Sequence, residues 1–371
     1  ELSGCGVGFK LCQGLNTIYK IPESELFELT DLLAISIASD IVAMTGENRV
    51  LAKQGLKFLR KTRKFGLRLL IPEEKLAHFE ISNIVFDIAP KINAAGRIKH
   101  GNEAVALLTE YDLEQAEQFA SEIEQHNSDR KELDKQITKE ALLQIEENNE
   151  QVRFSTVVYQ ENWHKGVIGI VASRLVENYY RPTIVFTKSG EKLAASARSV
   201  KDFDIYNALE ACTEHLEQFG GHMYAAGMTL LEENYENFKN AFEKVVQETI
   251  HPDLLIPEIS YDAEIELSEI NPKLMRLLKQ FEPFGPENMT PLFLAKGLTD
   301  SGYAKTLGSD NEHLKAFVKQ GNSESFGAIG FGLGNKLDLV TNKNKFDAIF
   351  SLEENEWKDT VTLQLQLRDI R

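Results

Sequence analysis

Cysteine is scarce in this chain. Cys5, Cys12 and Cys212 are the only three among 371 residues, too few and too scattered for a disulfide framework or a Cys-x-x-Cys metal site. Such usage suits a reducing compartment, and a cytoplasmic setting is the expectation. No stretch approaches the roughly 20 apolar residues that a membrane-spanning helix needs. Glu1-Leu2-Ser3 has neither the basic nor the apolar region of a secretory signal and lacks an initiator Met, as expected of a trimmed or partial chain. Also missing are a Walker phosphate loop, a Gly-x-Gly-x-x-Gly fingerprint, a Gly-x-Ser-x-Gly elbow, a His-Glu-x-x-His helix and a paired-histidine zinc spacing. The chemistries those motifs announce lose their sequence support.

What is present is an ordinary globular composition, 42% apolar and 26% charged. The length suits two or three domains, each able to bury its own core. The net charge of −16 argues by itself against a polyanionic partner. The distribution of that charge argues otherwise. Residues 110–150 hold thirteen Asp/Glu and four Lys/Arg, more than half of the excess, so basic surfaces remain open to the rest of the chain.

Four regions differ in pattern. Residues 1–105 read as α-rich, and a basic stretch from Lys53 to Arg68 carries Lys57, Arg60, Lys61, Arg63, Lys64 and Arg68. That stretch is either a solvated helix face or a phosphate-contact surface. Residues 106–150 hold a long amphipathic helix over 111–147, with Leu113, Ala116, Ala120, Ile123, Ile137 and Ala141 at helical steps. Asn127 and Arg130 continue that stripe. Either the register drifts and exposes them, or they make a specific buried contact. Residues 151–250 alternate strands (156–159, 182–187, 192–199, 223–231) with helices (167–178, 205–219, 235–249), as in an α/β domain. Residues 251–371 carry short β runs at 259–267, 292–298, 313–319, 325–331, 346–352 and 361–369, with one helix near 271–280. That density of strands predicts a small barrel.

Four stretches carry chemistry. Asp40 follows a buried run and is read as a helix cap or turn residue, or as a divalent-metal ligand through its carboxylate. In Pro90-Lys91-Ile92-Asn93-Ala94-Ala95-Gly96-Arg97, small residues allow close approach, while Asn93 and Arg97 supply an amide and a guanidinium fork suited to phosphate. The bland reading there is a tight turn with a solvated arginine. Ser196 and Arg198 sit on one side of a strand and can together grip an anion, unless they line a solvent-facing edge. Gly220-Gly221-His222 is read as a helix end whose glycines cap it and whose loop presents the histidine and backbone N–H groups.

Taken together these stretches resemble the RecJ-type single-strand-specific exonucleases of the DHH phosphoesterase superfamily. The likeness begins at Leu2-Ser3-Gly4-Cys5-Gly6-Val7-Gly8-Phe9-Lys10. It continues through Ser39-Asp40-Ile41-Val42 with Glu47-Asn48-Arg49, Asn93-Ala94-Ala95-Gly96-Arg97, and Asn127 with Arg130. Trp163 to Arg174, Ser196-Ala197-Arg198-Ser199 and Gly220-Gly221-His222-x-x-Ala225-Ala226-Gly227 resemble that family's DHHA1 domain. Pro283-Phe284-Gly285-x-Glu287-Asn288 and His313-Leu314-Lys315 resemble its OB domain. The family's Asp-x-Asp and DHH metal-binding motifs do not occur here.

The resemblance implies a mixed α/β architecture: the C-terminal part of a DHH domain (1–105), a connector helix (106–150), an α/β DHHA1 domain (151–250) and an OB-type β-barrel (251–371). It implies a 5′→3′ exonuclease on single-stranded DNA, in recombination and repair, using two Mn²⁺ or Mg²⁺ ions. Asp40 would be the one metal ligand retained, so the chain is expected to be incomplete and inactive alone. Arg97, Ser196 and Arg198 would hold the 5′ end or neighbouring phosphates, with Asn93 positioning that turn. His222, in the Gly220-Gly221 loop, would donate to the scissile phosphate. On the barrel, Lys315 and Lys319 beside Phe317, and Phe293 near Lys296, are candidates for stacking and phosphate contact. A helicase and a single-strand-binding protein are the implied protein partners of a monomer without membrane attachment. Two rival readings stand beside this one. One is another DHH–DHHA1 phosphodiesterase acting on cyclic dinucleotides or short oligonucleotides. The other is a non-catalytic single-strand-binding module.

Overall fold

A computed structural model describes residues 1–341, 344–357 and 360–371. It divides into two compact units. One comprises Arg63–Leu76 with Phe86–Glu258, and the other comprises Glu1–Thr62, Ala77–Val85 and Ile259–Arg371. The N-terminal helices and the C-terminal strands thus belong to one body. Among the described residues no helix is long and apolar enough to cross a membrane.

The first unit is built on a five-stranded sheet. Its strands are β1 (Thr156–Tyr159), β2 (Thr183–Ser189), β3 (Lys192–Arg198), β4 (Gln218–His222) and β5 (Ala225–Leu231), in the order β1-β2-β3-β5-β4. β1 and β2 are parallel and enclose the Ile168–Tyr179 helix, while the other pairs are antiparallel. Side chains alternate between faces, and each face has its own cover. Ile184, Phe186, Leu193, Ala195 and Ala197 meet Phe238, Phe242 and Val246 of the Tyr235–Thr249 helix. Val158 and Val185 meet Val171 and Leu175, together with Ile137 and Ala141 of the long helix. Each fully buried aliphatic or aromatic side chain contributes about 1.5–3 kcal/mol.

The long helix spans Leu113–Glu147, 35 residues, and its N-cap Asp112 accepts from the Gln115 N–H. Asp112 and Glu114 place negative charge at its positive end. The buried stripe runs through Ala116, Ile123, Ile137, Ala141 and Ile145, and it is interrupted by His126, Asn127 and Asp134, all buried. Asn127 is 2% exposed. Of the two readings open in the sequence, the buried contact holds for it, and register drift does not.

The second unit holds β6 (Ala263–Glu264), β7 (Phe293–Asp300), β8 (Lys305–Leu307), β9 (His313–Lys319), β10 (Phe326–Gly330), β11 (Phe346–Trp357) and β12 (Thr360–Ile370), ordered β6-β7-β11-β12-β10-β9-β8. β9 also pairs with β7 through Thr299 with Lys319 and Asp300 with Val318. The pairings therefore run full circle through five strands, as in an OB-type barrel. Phe293, Ala295, Leu314, Ala316, Val318 and Phe350 fill it.

The same unit contains the helices Gly4–Tyr19, Thr30–Ser39 and Gly46–Leu59. The last two cross so closely that a Cβ on Gly55 would lie 2.1 Å from the Thr30 carbonyl oxygen. Arg49 donates to the carbonyls of Gln280 (2.6 Å), Phe281 (3.0 Å) and Glu282 (3.2 Å), and the Met44 N–H donates to the Pro286 carbonyl (2.7 Å). The Glu47-Asn48-Arg49 and Pro283-Phe284-Gly285 segments, far apart in sequence, are thus two halves of one clamp.

Three expectations need correction. The helix expected over 205–219 ends at Glu210, and Gln218–His222 is β4. The strand expected over 259–267 shrinks to Ala263–Glu264, followed by a short 3₁₀ turn at Leu267–Glu269. The basic stretch is not one helix. It breaks after Leu59, a second short helix starts at Phe65, and Arg60 turns both Nε and Nη2 onto the Phe79 carbonyl.

Candidate functional site

Strand register assembles an anion-binding face in the first unit. Arg198 on β3 lies opposite Ala225 on β5, which lies opposite His222 on β4. One step along, Ser196, Gly227 and Gly220 form the neighbouring row, two residues away on each strand. Both rows therefore project from the same side of the sheet. Ser196, Arg198 and His222 supply its functional groups, and the residues between them are Ala225, Gly227 and Gly220. With so little side chain between them, the face stays shallow enough for a ligand to reach the backbone.

The Ile168–Tyr179 helix closes one side of this face. A Cβ on Gly169 would fall 2.9 Å from Ser196 Oγ and 3.0 Å from Arg198 Nη2. Only glycine lets the first turn of this helix, the positive end of its dipole, come so near. Arg198 Nη1 donates to Ser196 Oγ (3.0 Å) and to the Ala197 carbonyl (2.7 Å), which fixes the guanidinium against its own strand. Arg97 arrives from the Ala89–Ile98 helix and donates to the Gly166 carbonyl (3.2 Å). Burial, and then the neighbouring Arg97 charge, lower the Arg198 pKa from its usual value. Two cations share a partly desolvated site, and among the described residues neither meets a carboxylate. An anion is the natural complement.

The Gly220-Gly221-His222 segment is a strand and not a capped helix end. Gly221 is needed for close approach, since a Cβ there would lie 2.3 Å from the Ala225 carbonyl oxygen. The Tyr224 N–H donates to His222 Nδ1 (3.2 Å). The neutral ring then carries its proton on Nε2, a donor on an exposed side chain. Asn93 and Arg97 lie one turn apart on a helix, where a tight turn was one reading, and both are exposed. The small residues Ala94 and Ala95 between them are buried in packing.

Asp40 belongs to the other unit. It caps the C-terminus of the Thr30–Ser39 helix and is exposed. Among the described residues no group of three His, Cys, Asp or Glu is placed to hold a metal ion. One exposed carboxylate does not make a two-metal centre, so these residues by themselves do not fit one.

The barrel carries a second surface. Along the outward side of β9, His313, Lys315, Phe317 and Lys319 alternate with the buried Leu314, Ala316 and Val318. Lys315 lies opposite Lys305 on β8. Tyr303 packs edge-on to Phe317 (6.2 Å between centroids), and Phe331 does so to His313 (5.2 Å). Tyr303, Phe317 and Phe331 are all exposed. Interleaved rings and lysines are what a single strand needs from a protein surface. Phe293 is not part of it. It is buried against Phe350, and Lys296 pairs with Glu264 at 2.7 Å. Tyr303, Phe331 and Lys305 went unnoticed in the sequence, where a turn residue, a strand end and a three-residue strand give no signal of exposure.

Comparison with known proteins gives a consistent picture. The family model described as the DHHA1 domain matches residues 149–248, and that described as the RecJ OB domain matches residues 261–369. The single-stranded-DNA-specific exonuclease RecJ of Bacillus subtilis is 33% identical over 376 residues, covering all of this chain and 46% of that protein. The Salmonella typhimurium protein of the same name is 30% identical, covering all of this chain and 67% of that protein. The crystal structure of RecJ from Thermus thermophilus in complex with Mn²⁺ superposes with a TM-score of 0.85 at 28% identity, over 99% of this chain and 53% of that one. The chain thus spans about half to two thirds of the length of the relatives it matches.

Proposed function

The chain belongs to the RecJ family, and from that premise we propose that it is the phosphate-gripping and strand-guiding portion of a 5′→3′ exonuclease acting on single-stranded DNA. The observation that carries the reading is the face shared by Ser196, Arg198 and His222 beside Arg97, a cationic face with small residues at its floor. Arg97, Ser196 and Arg198 hold the terminal phosphate, Asn93 one turn earlier borders it, and His222 offers Nε2–H to a phosphate oxygen. The N–H groups and open floor around Gly220 and Gly221 let the strand approach. Lys315, with Lys305 and the exposed rings of Tyr303, Phe317 and Phe331, takes nucleotides of a single strand by stacking and charge.

Divalent metal enters by kinship, since the Thermus structures hold Mn²⁺ and Mg²⁺. Asp40 is the residue of this chain proposed to contribute to such a centre, which would need ligands that the described residues do not bring to it. A cytoplasmic role in recombination and repair, as a monomer working beside a helicase and a single-strand-binding protein, extends the same proposal.

The test is a titration of 5′-phosphorylated single strands, duplexes and cyclic dinucleotides, with a nuclease assay in Mn²⁺ alongside. Preferential binding of the single strand is expected, without rapid release of mononucleotides. Tight binding of cyclic dinucleotides with no affinity for long strands would replace this reading with that of a small-substrate phosphodiesterase.

A further inference from the structure

The hairpin that carries His222 ends in an aromatic ring that the core does not take up. His222 pairs with Ala225, so Met223 and Tyr224 are the two residues of the loop between β4 and β5. Loops of this length favour glycine and asparagine, and a bulky ring plays no part in closing them. Tyr224 is 46% exposed and lies outside the two apolar clusters that cover the sheet. Tyr235 of the same unit is the contrast. It is buried and packs edge-on to Phe186, with centroids 5.6 Å apart.

The exposed ring is nevertheless held in place. The Tyr224 N–H donates to His222 Nδ1 (3.2 Å), and the Tyr224 carbonyl accepts from the N–H of Ser199 (3.1 Å), the residue after Arg198. The Met223 carbonyl accepts from the Ile205 N–H (3.1 Å). The loop is thus tied on one side to the histidine of the cationic face and on the other to the end of the strand that bears Arg198. The Tyr224 ring stands at 69° to the His222 ring, with centroids 6.5 Å apart. A phosphate alone has no use for such a ring. A nucleobase does, because tyrosine offers a large flat surface with only two side-chain torsions to immobilise.

We propose that Tyr224 is a base-stacking residue, whose ring takes the nucleobase of the 5′-terminal nucleotide while the cationic face takes its phosphate. This rests on the reading of Arg97, Ser196 and Arg198 as a phosphate site. It adds a preference for a nucleotide over a bare sugar phosphate. It adds no choice among bases by hydrogen bonding, since stacking accepts every base through its π-face.

The experiment is equilibrium binding of thymidine 5′-phosphate, deoxyadenosine 5′-phosphate and deoxyribose 5-phosphate to the wild-type chain and to the Tyr224→Ala, Tyr224→Phe and Arg198→Ala variants. The wild type should bind either nucleotide roughly ten-fold more tightly than the sugar phosphate, the scale of one base stacked on a ring. Tyr224→Ala should remove that advantage and leave the sugar phosphate within about two-fold, which also shows that the variant is folded. Tyr224→Phe should keep the advantage, because the ring and not the hydroxyl makes the contact. Equal wild-type affinity for nucleotide and sugar phosphate overturns the inference. So does a Tyr224→Ala loss that is equal on all three ligands or absent from all three, or a Tyr224→Phe loss as large as that of Tyr224→Ala. If Arg198→Ala leaves the binding of all three ligands unchanged, the end-phosphate reading falls instead.

Discussion

The two candidate surfaces solve one problem, holding a polyanion, by opposite means. On the five-stranded sheet and the helix beside it the cations are arginines, and each is held by its own neighbours. Arg198 is bonded to Ser196 and to its own strand, and Arg97 to the Gly166 carbonyl. On the barrel they are lysines, and Lys305 and Lys315 face each other across a strand pair with no carboxylate between them among the described residues. A guanidinium fixed at the edge of a desolvated face suits one phosphate in one place. A lysine beside an exposed ring suits a strand that slides. Arg181 shows what a purely structural arginine looks like in the same unit as Arg198. It is 3% exposed and spends its donors on Thr156 Oγ1 and the carbonyls of Glu150, Gln151 and Arg153. Arg198, with far fewer partners, has donors to spare.

The contrast breaks most sharply at Arg198. Replacing it with alanine should cost end-phosphate binding about 1.5–3 kcal/mol, roughly ten-fold to more than a hundred-fold in Kd, while the thermal midpoint hardly moves. Binding of 5′-phosphorylated thymidine by calorimetry checks the first, and a melting curve the second. A large drop in the midpoint would make Arg198 another Arg181. Phe317→Ala should behave the other way. Stacking on an exposed ring is worth about 1–3 kcal/mol per base, so a long oligothymidine should bind more weakly and the mononucleotide equally well. If mononucleotide binding fell too, the two surfaces would not be independent devices.

How much of this was legible beforehand depends on the range of the interactions. Strand 156–159 and helix 235–249 emerge at the expected residues because local periodicity fixes them. Strand 313–319 does as well, because its alternation of buried and outward residues is strict. Glycines after a helical pattern signal a cap, whereas here both lie in β4, Gly221 in close approach to β5 and Gly220 beside open space. Nothing local announces that Arg49 reaches the carbonyls of 280–282, since that contact depends on two segments more than 230 residues apart. Ser196 and Arg198 were legible as a pair by strand alternation, but their alignment with His222 is a fact of register. Arg130 was visible as a break in an apolar stripe. That Asp134 is bonded to Arg174 could be read only from the folded chain.

The smallest effect is also the most discriminating about the barrel. Each lysine that neutralises a phosphate of a single strand adds about 0.7 to the slope of log K against log salt. Lys305→Gln with Lys315→Gln should therefore flatten the slope for a long oligothymidine by about 1.4 if both touch phosphate. Stability should be unchanged or slightly improved, because like charges directly opposite on paired strands repel. The mononucleotide slope, governed by Arg97 and Arg198, should stay as it was. A long-strand slope that does not change would mean that the strand runs past Phe317 without touching the lysines. The barrel would then hold bases by stacking alone, and the division of labour would be sharper still, with all of the phosphate recognition left to the guanidinium face.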